Sequence, residues 1–164
     1  MRRVLSLLIF VVVSPAGWAI DPRAIDILTL RLGMTGAEVT ARLAAQGVRA
    51  EAFNQAEGER TDPQGGTLGT MSARTRDGVL TIRFDGAPGT EPRVSRIAYQ
   101  LGGRAPREGD MIQASAVNRF GAPDAMRPLT WCRNVTPDGA CPMDQPRLTL
   151  EAGSMNILTL SDGR

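Results

Sequence analysis

Residues 68–84 read LGTMSARTRDGVLTIRF and predict a β-hairpin, around which the rest of the fold can be built. Asp77-Gly78 lies between two runs of high β propensity, and an Asp-Gly pair in that position is a strong hairpin signal. The run 79–84 alternates apolar and polar residues. This alternation is typical of an antiparallel strand with one buried face.

Helix signals come before this hairpin and again after it. Thr35 and Glu38 have the spacing of a capping box, which predicts a helix that ends at Gly47. Asp110 begins a second capping pattern, and the apolar spacing that follows it predicts a helix that ends at Gly121. We therefore expect two helices.

Three predicted strands follow each predicted helix. They are 68–75, 79–84 and 94–101 in the first set, and 129–132, 147–152 and 155–160 in the second. The predicted element order is α-βββ-α-βββ, which indicates an α+β fold with an antiparallel sheet and two helices on one face. The sequence thus predicts a single domain, 20–164, and the repeated order suggests two halves, 33–101 and 110–160.

The first 19 residues have the pattern of a secretory signal peptide. Arg2 and Arg3 precede an apolar run, 4–13, which small residues follow. Cleavage after Ala19 fits best, and a start at Gly17 is the alternative. A helix needs roughly 20 apolar residues to cross a bilayer, so this run predicts no stable membrane anchor. We expect a periplasmic or secreted protein, exported by the bacterial Sec route.

The charged residues exclude several classes of function. The chain has 19 basic and 17 acidic residues, no histidine and, among the basic residues, only arginine. Lysine Schiff-base chemistry and histidine acid-base catalysis are therefore absent. Without Arg2 and Arg3, 17 basic groups remain against 17 acidic ones. We expect no nucleic-acid partner, because such proteins carry an excess of positive charge. The oligomeric state stays open.

The only two cysteines, Cys132 and Cys141, predict a disulfide. An even cysteine count in an exported protein usually means pairing, and the residues between the two are good turn formers. A redox pair is the weaker alternative, since the spacing is not Cys-x-x-Cys. Two cysteines without histidine also make a poor metal site.

One tryptophan and a group of arginines are candidates for a binding face. Trp131 stands beside Cys132, is the one tryptophan that remains after the predicted cleavage, and is interpreted either as a binding anchor or as a lid over the disulfide. Arg96 and Arg104 belong to a loose group with Arg93 and Arg107. That group is either a functional surface or a solvated strand face and loop.

Two stretches carry a resemblance to a known family. Residues 30–39, LRLGMTGAEV, continuing to Leu43 and Gly47, resemble the opening of envelope domains of the SmpA/OmlA type, which are outer-membrane assembly proteins. Residues 118–123, NRFGAP, are similar to the end of a helix in such domains and in the tandem β-lactamase-inhibitor proteins. The resemblance implies a helix-on-sheet module that binds another envelope protein, as an assembly scaffold or as an enzyme inhibitor.

The chain offers no convergent set of catalytic groups. Its carboxylates are accounted for as helix caps, turn residues and strand ends, so we predict no catalytic residues, no cofactor and no metal. The leading prediction is a non-enzymatic binding module that contacts an envelope protein non-covalently. A small envelope hydrolase would instead need a polar pocket that joins two carboxylates with Arg96 or Arg104. A small-ligand carrier would need an apolar cavity between helix and sheet.

Overall fold

A computed structural model describes residues 21–54, 67–102, 106–126, 128–152 and 156–163. Two α-helices and eight β-strands occur in these ranges. In chain order they are α1 (Gly36–Ala45), β1 (Ala50–Asn54), β2 (Thr67–Arg74), β3 (Gly78–Gly86), β4 (Arg93–Leu101), α2 (Pro106–Phe120), β5 (Ala125–Met126), β6 (Leu129–Cys132), β7 (Arg147–Glu151) and β8 (Asn156–Ser161). The predicted signal peptide, 1–19, and Arg104 lie outside the described residues.

The eight strands form one sheet in the order β1-β2-β3-β4-β8-β7-β6-β5, and every neighbouring pair is antiparallel. The predicted α+β class with an antiparallel sheet is confirmed. The element order differs from the prediction, because four strands follow each helix instead of three. β1 lies at the start of a polar stretch of sequence, and β5 is only two residues long. Neither segment is long or apolar enough to show strand periodicity.

The hydrophobic core lies on one face of the sheet. A single row of cross-strand partners runs through six strands, and every member is at least 96% buried. The row is Met71, Ile82, Ile97, Leu160, Leu148 and Trp131. Directly opposite residues on one face pack against each other, so this row ties the two sets of strands together.

Both helices contribute buried side chains to the same core. Val39 and Leu43 of α1 are fully buried, and Ala116 and Phe120 of α2 are 8% exposed. The spacing of four residues in each pair puts its members on one side of the helix. The stripe of α1 is narrow because alanines fill the positions around it, as its sequence predicts.

The predicted start of α1 is confirmed and that of α2 is wrong. The Thr35 hydroxyl accepts a bond from the Glu38 amide, while the Glu38 carboxylate accepts one from the Thr35 amide at 2.8 Å. α2 begins at Pro106, before Asp110. Proline suits the first turn of a helix because its missing N–H would have no helical partner there. Asp110 is therefore an exposed residue within α2.

Candidate functional site

The polar face of the sheet is exposed over β2, β3 and β4. We call the surface formed there by Thr70, Ser72, Thr81, Arg83, Arg96 and Gln100 the open face. The same side of the sheet is closed to solvent over β6 and β8, where Thr130 and Thr159 are 6% and 8% exposed. Half of these six side chains are short hydroxyls, and two of the others are arginines, so the open face is hydrophilic.

Two arginines lie directly opposite each other on the open face. Arg83 of β3 is the cross-strand partner of Arg96 in β4. The Arg83 guanidinium donates to Asp85 at 2.9 Å, within its own strand. Arg96 is exposed and has no hydrogen-bond or ion-pair partner among the described residues. Like charges that face each other across strands are unfavourable, and Asp85 offsets only the charge of Arg83, so Arg96 is available to an anionic group.

Trp131 does not belong to that surface, and its proposed role as a binding anchor is corrected. Its side chain is 1% exposed, and its indole N–H donates to the Gly121 carbonyl at 2.9 Å. Its ring packs edge-on against Phe120, with 5.7 Å between the ring centroids. Trp131 and Cys132 are neighbours in β6, so their side chains take opposite faces of the sheet. The indole is therefore a core residue and not a lid over the disulfide.

The predicted disulfide is confirmed. Cys132 and Cys141 are bonded, with their Cα atoms 5.9 Å apart. Asp124 lies close to both sulfurs, and its carboxylate accepts a hydrogen bond from the Cys132 amide at 2.8 Å. Because sulfurs joined in a disulfide are not thiolates, these three residues are not a metal-binding set in this form.

An apolar cleft of about 240 Å³ lies between α2 and the sheet. Leu101, Leu150 and Leu158 line it from the sheet, and Ile112, Ala116 and Phe120 line it from α2. The segment 26–28 forms part of its wall. No sequence pattern predicts the lining of this cleft, because its walls come from distant parts of the chain.

The mouth of the cleft carries an ion pair. An Arg119 guanidinium nitrogen lies 3.2 Å from an Asp26 carboxylate oxygen, and the two side chains are 65% and 35% exposed. The same guanidinium lies over the Phe120 ring, 5.3 Å from its centroid. The pair joins α2 to the segment that precedes α1, and its exposure makes it a weak contributor to stability.

The turn 27–30, whose first two residues line the cleft, has an unusual backbone. Leu28 and Thr29 both have positive φ, 52° and 64°, and Ile27 and Leu30 exchange two backbone hydrogen bonds across them. Asparagine and glycine normally fill such positions, because larger side chains meet the backbone there. The Gln46 side-chain amide donates to the Leu28 carbonyl at 2.9 Å and to the Thr29 hydroxyl at 2.6 Å. These contacts hold the turn in place.

Two further clefts in the described part of the chain lack the polar pocket that the hydrolase alternative requires. One, of about 430 Å³, is lined by residues that include Gln113, Met126 and Glu151, and the other, of about 180 Å³, includes Asp21 and Arg133. Among the described residues that line these clefts and the apolar cleft, no two carboxylates meet and Arg96 is absent. The arrangement that the hydrolase alternative requires is therefore not found at these clefts.

The chain was compared with protein-family models, curated proteins and solved structures, and none of them matched. The resemblance to SmpA/OmlA-type domains and to the tandem inhibitor proteins thus remains a prediction. No helix in the described part of the chain is both long and apolar enough to span a bilayer.

Proposed function

We propose that this chain is an exported periplasmic binding module that contacts another envelope protein through the open face. Residues 1–19 would direct export and be removed. The bonded pair Cys132–Cys141 supports this location, because disulfides form in oxidising compartments and are rare in the cytoplasm. The resemblance to envelope assembly domains and inhibitor proteins points to the same class of function.

The single observation that carries the proposal is Arg96, which is exposed, lies opposite Arg83 and has no partner among the residues that the structure describes. Arginine is enriched at protein interfaces, since its planar guanidinium bonds carboxylates in pairs and stacks on flat groups. Around Arg96 the side chains of Thr81 and Gln100 are polar and exposed, and a partner surface can pack on them without burying an unmatched charge. The partner is therefore expected to present an acidic group to Arg96.

Site-specific photo-crosslinking in the periplasm tests the proposal. A photo-reactive residue at Thr81 or Gln100 should capture one envelope protein, whereas the same residue at Ala114, an exposed position in α2, should not. Captured material is identified by mass spectrometry, and its affinity for the purified chain is then measured. Equal capture from all three positions, or none from the open face, would contradict the proposed surface.

Charge reversal at Arg96 provides the quantitative test. Arg96→Glu should weaken the affinity for the captured partner by about tenfold or more, because it sets like charges against each other in the interface. Arg42→Glu is the matched control, since Arg42 is exposed in α1, a helix whose buried residues belong to the core. An equal loss of affinity in both variants would show that only overall charge matters.

A further inference from the structure

The cleft between α2 and the sheet has an apolar interior and a polar mouth. Leu150, Leu158 and Phe120 line the interior, and the first two belong to β7 and β8 at the middle of the sheet. Ser115 and Arg119 lie at its α2 side. Because these two residues are four apart in one helix, their side chains lie on the same side of α2.

The mouth can bind an anionic group. A guanidinium has five N–H donors, and the hydrogen bond with Asp26 uses one donor nitrogen of Arg119, whose side chain is 65% exposed. The exposed hydroxyl of Ser115 provides a further donor on the same side of the helix. A carboxylate at the mouth therefore finds several donors, and an apolar chain attached to it has the cleft interior to enter.

The size of the cleft sets the length of that chain. A water molecule occupies roughly 30 Å³, and a methylene group is of similar size. The cleft volume of about 240 Å³ therefore holds about eight non-hydrogen atoms. Leu28 lines the cleft, Leu28 and the adjacent Thr29 both have positive φ, and the Gln46 side chain bonds to both residues. Strained backbone that the surrounding structure maintains is common at ligand sites, because it keeps a wall in place before the ligand arrives.

We propose that this cleft binds a single-chain carboxylate of about eight carbons, with its chain against Leu158 and Ile112 and its carboxylate on Arg119. The site is separate from the open face, since the cleft lies on the core side of the sheet. It would add a small-ligand activity to the chain whether or not the open face binds a protein.

Titration of the purified full chain with sodium octanoate, followed by calorimetry and by NMR, tests the proposal. Octanoate should bind saturably with one molecule per chain below its micelle concentration, and its methylene protons should contact the methyl groups of Leu158 and Ile112. Octan-1-ol should bind more weakly, and butanoate more weakly still. Absence of saturable octanoate binding, or tighter binding of octylammonium than of octanoate, would overturn the proposal.

Two leucine substitutions form a matched pair that locates the site. Ala116 lines the cleft and is 8% exposed, whereas Ala114 is exposed and does not line it. Ala116→Leu should fill the cleft and weaken octanoate binding at least tenfold, while Ala114→Leu should leave it unchanged. Equal effects of the two variants would overturn the location.

Substitutions of the exposed Arg119 and the half-buried Asp26, neither of which belongs to the hydrophobic core, test the contact of the ligand's carboxylate. Arg119→Gln should weaken octanoate binding about tenfold and leave octan-1-ol binding unchanged, because only the carboxylate uses the guanidinium charge. Asp26→Asn should tighten octanoate binding, since Asp26 competes for that guanidinium. If Arg119→Gln weakens octan-1-ol as strongly as octanoate, the assigned carboxylate contact is wrong.

Discussion

Glu38 shows how one side chain can act as both a cap and a titrating group. Bonds from Thr35, first from its backbone amide and then from its hydroxyl, hold the pKa of the Glu38 carboxyl below its ordinary value of 4.5. A carboxyl whose pKa is lower in the folded chain favours folding while it is ionised. Its contribution is therefore complete above the unfolded pKa and is lost as pH falls through the folded pKa.

The pH dependence of unfolding tests this residue. Glu38→Gln removes the titration, so the variant should lose less stability than the parent chain as pH falls from 6 to 2. Urea unfolding at each pH measures the difference. Glu151→Gln is the control, because Glu151 is an exposed carboxylate outside any helix cap. If the two variants have the same acid dependence, the capping carboxylate is not the source of the effect.

The sequence predicted the features that depend only on residues close together in the chain, such as a helix cap and a hairpin turn. Thr35 and Glu38 are three residues apart, and the Asp77-Gly78 turn joins adjacent strands, so both could be inferred without the rest of the fold. Trp131 could not, because the face it occupies depends on its pairing with Leu148 in another strand. The alternation in 79–84 predicts that Arg83 lies on the polar face of its strand. Its position opposite Arg96 could not be predicted, because it depends on the register of β3 and β4.

Among the elements, the connection between β6 and β7 depends most on links outside the sheet. The disulfide joins its start, Cys132, to Cys141, and the Thr136 amide donates to the Ala140 carbonyl at 2.9 Å between them. Arg147, the first residue of β7, donates to the backbone carbonyls of Pro142 and Met143. These contacts give a long connection a defined path.

Removal of the disulfide measures how much this bond contributes to the free energy of unfolding. The double variant Cys132→Ala, Cys141→Ala should lower the free energy of unfolding by about 2–3 kcal/mol, because the open chain gains entropy when unfolded. Urea unfolding under oxidising conditions measures the loss. The parent chain with its disulfide reduced provides the comparison, since it keeps both side chains. A loss only in the alanine variant would assign the effect to packing at Cys132, which is 1% exposed.

At the scale of the whole molecule, the pairing of β4 with β8 joins the first four strands to the last four in one sheet. Ile97 and Leu160 are partners there, and both are completely buried. The row of buried cross-strand partners from Met71 to Trp131 continues from β4 into β8 without a break. The two sets of four strands are therefore expected to unfold together.

A shortened side chain at the pairing of β4 with β8 tests whether the two sets of strands unfold together. Leu160→Ala should lower the free energy of unfolding by about 2–5 kcal/mol, the usual cost of a cavity at a buried leucine. Trp131 fluorescence and far-UV circular dichroism should still report one coincident transition. Val79→Ala, at a position that is 39% exposed, should cost far less. Two separate transitions would show that the halves unfold independently.

The position of β8 also determines the order in which the chain can fold. In the described sheet every pairing except that of β4 with β8 joins strands that are consecutive in the chain. The consecutive hairpins can form early, while the β4–β8 pairing must first close a long loop, which slows folding. If the chain folds as it emerges N-terminus first into the compartment where it folds, β4 keeps an unpaired edge until residues 156–161 have emerged. Until then this edge is open to wrong pairing with another chain.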